Sequence, residues 1–152
     1  MGFQDKFDEM KEKREAQSYF RENNSEYLEP MDYLKALAVG MIVAMAGGFA
    51  IQFVAYTIEM YFLYAFLFVG FGVGAAIKKV TNTGNIKLAL VAVIAYVIGV
   101  AFGMVLYFGF YLGFSNMSNN MAMIYFKSIF QDIVSVIFIV VGAVCAFMNA
   151  KD

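Results

Sequence analysis

Residues 36–77 read ALAVGMIVAMAGGFAIQFVAYTIEMYFLYAFLFVGFGVGAAI, and Glu59 is the one charged side chain among these 42 residues. As a single helix the stretch would measure about 63 Å at about 1.5 Å per residue, which is roughly twice the hydrocarbon thickness of a bilayer. The chain must therefore turn near Glu59. We predict one membrane span over residues 36–57 and a second over residues 60–77.

Two more uncharged stretches follow this pair. Lys78 and Lys79 end the second span, and a polar turn leads to a third span over residues 88–111. A fourth span is predicted over residues 129–149. The fold class is therefore an all-α membrane protein, with residues 33–152 as a four-helix transmembrane bundle.

The first 32 residues differ sharply from the rest, because they hold 14 of the 23 charged side chains. Phe3, Phe7 and Met10 have the i, i+4, i+7 spacing of one helical face. We predict a short acidic amphipathic helix and linker over residues 1–32. This helix either lies solvated near the headgroups or binds a partner.

The orientation follows from the positions of lysine and arginine in the loops. The loop over residues 78–87 holds three lysines, the turn at Glu59 has none, and residues 113–127 hold one, Lys127. Cytoplasmic loops carry the excess of these residues. Both termini are therefore predicted to lie in the cytoplasm, in a multi-pass protein of the cell (inner) membrane.

The composition excludes several classes of function. The chain is 62% hydrophobic and 15% charged, and its net charge of −1 gives no basic surface for nucleic acid. Histidine is absent and Cys145 is the only cysteine, so imidazole chemistry and thiol pairs are excluded. We expect no enzyme activity, cofactor or metal.

Each span carries small residues four positions apart, which allow two helix backbones to approach closely in lipid. The candidate packing residues are Gly70, Gly72 and Gly74 in the second span, Gly99 and Gly103 in the third, and Gly142 in the fourth. In the second span the pairs Gly70/Gly74 and Gly72/Ala76 lie on different faces. One face is available to the bundle, and the other to a second copy of the chain.

The stretch VGFGVGAAIKK over residues 69–79 carries a resemblance to known proteins, with Glu59 before it and Lys87 opening the next apolar span. It resembles a recurrent segment of uncharacterised bacterial four-span membrane proteins, and Gln131-Asp132-Ile133 resembles the start of their final helix. The similarity covers about residues 36–150 and implies a four-span fold without an established activity. Many of these relatives carry an N-terminal zinc ribbon. This chain lacks the cysteines for one, so no zinc is implied.

Two functions remain open at this stage. The first is an accessory or scaffold subunit that works by helix–helix association, with itself or with a larger membrane complex. The alternative is a small transporter or channel in which the carboxylate of Glu59 or Asp132 contacts an ion or proton, since carboxylates inside membrane spans are often functional. At a turn or helix end, the same carboxylates would instead have structural roles.

Overall fold

The computed structural model describes residues 2–23, 28–59, 63–114, 124, 127 and 132–151. Over these ranges the chain is helical and contains no strand, which confirms the all-α class. The helices are α1 (Phe3–Asn23), α2 (Pro30–Ile58), α3 (Ala65–Thr81), α4 (Ile86–Leu112) and α5 (Ile133–Lys151).

Three of these helices, α2, α4 and α5, are long and apolar enough to cross a membrane, with 29, 27 and 19 residues. The protein is thus a multi-pass membrane protein. The helix α3 has 17 residues and lies at the short end of the length that a membrane span needs.

The helix α2 begins six residues before the predicted span, at Pro30. Proline suits the first turn of a helix, because its fixed φ is already helical and no N–H partner is needed there. The main-chain N–H of Glu29 donates to the Asp32 carboxylate over 3.2 Å, which caps this end. The predicted boundary between residues 32 and 33 therefore falls inside the first turn of α2.

The helix α3 is shifted toward the C-terminus relative to the predicted span 60–77, of which residues 60–62 lie outside the described part. Lys78 and Lys79 do not end it, since cations are favourable in the last turn of a helix. The helix ends at Asn82, whose φ is 53° and whose N–H donates to the carbonyl oxygen of Lys78 over 2.8 Å. The predicted third span agrees with α4 to within two residues. Residues 129–131 of the fourth also lie outside the described part.

The helices α2 to α5 form a bundle in which α2 and α5 occupy opposite corners, each packed between α3 and α4. The contact residues show that α2 runs parallel to α4 and that α3 runs parallel to α5. One end therefore holds the N-termini of α2 and α4 and the C-termini of α3 and α5. We call it the lysine end, after Lys35, Lys78, Lys79, Lys87 and Lys151. The other, carboxylate end carries Glu59 and Asp132.

The core combines a line of small residues with a few large side chains. Ala36, Gly40, Ala44 and Gly48 follow one face of α2 at four-residue intervals and are all buried. The five largest fully buried side chains among the described residues come from α3 and α4 and are Tyr96, Phe66, Ile77, Leu88 and Met104. Small residues let the backbones approach, so that dispersion contacts accumulate along the helices.

Candidate functional site

Glu59 lies at the point where α2 ends, at the carboxylate end of the bundle. It is the C-cap residue of α2, its side chain is exposed, and its φ of 55° is left-handed. Left-handed backbone at a helix C-terminus ends the helix and redirects the chain. The position of Glu59 is therefore that of a turn residue rather than of a carboxylate buried within a span.

Asp132 immediately precedes α5 and caps its N-terminus. One carboxylate oxygen accepts the main-chain N–H of Val134 over 3.2 Å, and the other accepts the Ser135 hydroxyl over 3.0 Å. The first contact satisfies an N–H group that has no partner inside the helix, which is the usual role of aspartate at this position.

Gly70 and Gly74 lie against α5. A Cβ atom at Gly70 would overlap the main-chain carbonyl group of Gly142, and one at Gly74 would lie 2.7 Å from the carbonyl oxygen of Ala146. A Cβ at Gly142 would in turn meet the Tyr96 hydroxyl and lie 2.6 Å from the carbonyl oxygen of Phe66. The interface between α3 and α5 thus requires glycine on both helices.

The candidate glycines of α4 lie against α2. A Cβ at Gly99 would meet the Ala44 side chain, and one at Gly103 would meet the carbonyl oxygen of Met45. Gly72 differs from both, because a Cβ there would meet one atom of Val43 at an ordinary 3.8 Å. Gly72 therefore faces α2 across a looser contact than the other candidate packing residues.

Tyr96 and Gln52 are buried within the bundle, and Asn149 is half-buried. Tyr96 donates its hydroxyl hydrogen to the carbonyl oxygen of Phe66, and the Asn149 amide donates to that of Phe71 over 2.9 Å. The sequence predicts that Asn149 and Gln52 bond to neighbouring helices. Asn149 does so, but the buried Oε1 of Gln52 has no hydrogen-bond partner among the described residues.

A polar cleft opens at the lysine end, between α1 and the bundle, with a volume of about 540 Å³. Among the described residues, the walls consist of Arg14, Gln17, Ser18, Glu29, Lys35, Thr81, Asn82 and Thr83. The sequence did not predict this cleft, because its walls come from three separate segments. The excess of lysine at this end was the available signal.

An aromatic groove lies near the carboxylate end, between α2 and α4, with a volume of about 600 Å³. The centroids of the Phe49 and Tyr107 rings are 5.4 Å apart and nearly perpendicular, an arrangement that aromatic pairs favour. Tyr56 and Tyr111 extend the cluster toward the helix ends. Tyrosines are enriched at this level of a membrane, where the ring is in lipid and the hydroxyl reaches water.

Over residues 2–23, 28–59, 63–114, 124, 127 and 132–151, no group of three or more cysteine and carboxylate residues lies in a position to hold a metal ion. Cys145 is half-buried within α5. Comparison of the chain with known protein families, with curated proteins and with solved structures gives no match. The resemblance to bacterial four-span proteins therefore stays a prediction.

Proposed function

We propose that the chain crosses the cell membrane four times, with both termini in the cytoplasm. The helix α3 connects the same two ends of the bundle as α2 and α4, and its 17 residues measure about 25 Å. Five lysines lie at one end, whereas the connection between α4 and α5 at the other end holds Lys127, and this excess supports a cytoplasmic lysine end.

The function that we propose is that of a non-enzymatic accessory or scaffold subunit, which associates with itself or with a larger membrane complex. The observation that carries this proposal is the exposed acidic face of α1. Asp5, Asp8, Glu12 and Glu15 are spaced three or four residues apart, so they lie on one side of the helix, and all four are exposed. None of them lines the polar cleft, so this face is accessible to a basic partner.

Crosslinking in cells tests this proposal. A photoreactive residue at position 12 lies on the acidic face, and one at position 7 lies on the opposite face with Phe3 and Met10. We expect discrete protein adducts from position 12, and we expect them to disappear when Asp5→Asn and Asp8→Asn are added. Deletion of residues 2–24 should leave membrane insertion intact. Absence of protein adducts at position 12 would contradict the proposal.

Self-association is proposed to use the face of α3 that carries Gly72 and Ala76. Both residues are only partly buried, and Gly72 has a loose contact with α2. Replacing both with isoleucine should abolish crosslinked dimers in detergent while the monomer keeps its helicity. If the wild-type chain is monomeric at every detergent concentration, the homo-oligomer is excluded.

The alternative, a small transporter or channel, has less support from the positions of its two carboxylates. Glu59 is exposed in a turn, and both oxygens of Asp132 take part in the cap of α5. Flux measurements on proteoliposomes separate the two functions. A flux that is lost in Glu59→Gln or Asp132→Asn would favour transport.

A further inference from the structure

The polar cleft has an unusual balance of charge for its size. Among the described residues that line it, Arg14 and Lys35 are cations, Glu29 is a carboxylate, and the others carry amide or hydroxyl groups. Among the described residues neither Arg14 nor Lys35 forms an ion pair, whereas Lys13 and Glu9 of α1 do. The two cations are thus available to a ligand.

Glu29 does not cancel this positive charge fully, because it is the N-cap residue of α2. The unpaired N–H groups at a helix N-terminus carry partial positive charge and stabilise a carboxylate placed there. Lys78 and Lys79 lie in the last turn of α3, which leads directly into the cleft wall at Thr81. The cleft is therefore electropositive overall.

The floor of the cleft is held by hydrogen bonds within the turn between α3 and α4. The buried Thr81 hydroxyl lies 2.9 Å from the carbonyl oxygen of Ile77 and 3.2 Å from that of Thr83. The main-chain N–H of Asn82 is bonded to Lys78. These bonds hold the turn in place, and the side-chain amide of Asn82 remains as a donor on the cleft wall.

In the four-span arrangement proposed above, on which this step rests, the lysine end and its cleft lie at the level of the headgroups. Arg14 and Ser18 continue the face of α1 that carries Phe7, because positions four and seven residues apart share a side of a helix. Phe7 is exposed, so this face can enter the bilayer interface while Arg14 stays at phosphate depth. A ligand would therefore approach from the membrane side.

We infer that the polar cleft binds a phosphate group, and that an anionic phospholipid headgroup supplies it. The planar guanidinium of Arg14 can donate two parallel hydrogen bonds to phosphate oxygens, and the Lys35 ammonium adds a point charge from α2. The role goes beyond the scaffold function and does not use the acidic face of α1. It also gives α1 a fixed position on the bundle.

Native mass spectrometry of the full chain in a neutral detergent tests this inference with phosphatidylglycerol and phosphatidylcholine as probes. We expect wild-type protein to bind phosphatidylglycerol about tenfold more tightly than phosphatidylcholine. The variant Arg14→Gln with Lys35→Gln should lose this preference. The control Lys6→Gln with Lys11→Gln removes the same charge from a part of α1 outside the cleft and should change the affinity by less than about threefold.

Three further measurements complete the test. The exchange Arg14→Lys with Lys35→Arg should retain most of the binding, and equal helicity of all variants would exclude a folding defect. Equal losses of phosphatidylglycerol affinity in the cleft variant and the control would contradict a binding site in the cleft. The lipid would then be attracted by the total positive charge of the protein. Competition by millimolar inorganic phosphate, with no preference between the two lipids, would overturn the lipid as the source and assign the cleft to free phosphate.

Discussion

Tyr96 donates its hydroxyl hydrogen to the carbonyl oxygen of Phe66, 3.3 Å away, and thereby joins α4 to the first turn of α3. Gly142 of α5 lies against the same pair of groups, where any Cβ would collide with the tyrosine oxygen. Three helices therefore meet around one hydrogen bond. Gly142 lets the three helices approach this closely, and Tyr96 supplies the hydrogen bond between two of them.

Replacing Tyr96 with phenylalanine should remove this bond and leave the packing of the ring unchanged. Polar contacts between membrane helices contribute about 0.6 kcal/mol on average and at most about 1.7 kcal/mol, so we expect a loss of that order. Unfolding of the wild-type chain and the variant in a mixed detergent measures this loss in the free energy of unfolding. Tyr111→Phe is the matched control, since Tyr111 is exposed, and an equal effect of the two changes would contradict the role assigned to Tyr96.

Gly70 and Gly72 should respond in opposite ways to alanine. At Gly70 the added methyl group overlaps the backbone of α5, and overpacking of this kind costs about 1–3 kcal/mol. At Gly72 it has room, so Gly72→Ala should leave stability unchanged or raise it slightly. Thermal unfolding in detergent compares the two. A larger loss at Gly72 would mean that α3 packs in a different rotation.

The sequence predicts helix ends best where a charged residue or a glycine bounds an uncharged run of membrane-spanning length. Lys87 and Gly113 bracket an uncharged run, and α4 begins and ends within two residues of the prediction. The start of α2 is predicted less well, because the helix begins at Pro30, six residues before the predicted span. Proline suits the first turn of a helix, and the hydrogen bond between Glu29 and Asp32 caps this turn, which the hydropathy pattern alone does not reveal.

Helix partners could not be predicted, since every span carries small residues at four-residue spacing. Only the structure shows that Gly70 faces α5 and that Gly99 faces α2. The polar cleft is even harder to predict from the sequence, because Arg14, Lys35 and Thr83 lie far apart in the chain. Nothing in their local sequence indicates that they meet.

Labelling of single cysteines tests the orientation of the bundle. In a Cys145→Ser background, Thr83→Cys should react only from the cytoplasmic side and Asn119→Cys only from the opposite side. Thr83 follows α3 at the lysine end, and Asn119, which lies outside the described residues, is in the connection between α4 and α5. If both positions react from the cytoplasm, the four-span arrangement is wrong.

Glu59→Asn should stabilise the protein, because asparagine adopts left-handed backbone more readily than glutamate does. We expect a gain of about 0.5–1 kcal/mol, which thermal unfolding in detergent can detect. Asn82 is the other described non-glycine residue with left-handed backbone, and asparagine already suits this φ. Asn82→Gly is therefore the matched control, from which we expect no comparable gain in stability. A loss of stability in Glu59→Asn would show that the carboxylate itself is required.

Asp132 allows the capping role and the transport role to be separated at one position. Asparagine caps a helix about as well as aspartate, because it keeps an oxygen that accepts the N–H of Val134, whereas alanine keeps none. Asp132→Asn should therefore retain wild-type stability, and Asp132→Ala should lose about 1 kcal/mol in detergent unfolding. A proton or ion site would instead lose its flux in both variants, since both lack the charge. Equal destabilisation by asparagine and alanine would mean that the negative charge, rather than the cap, holds the N-terminus of α5.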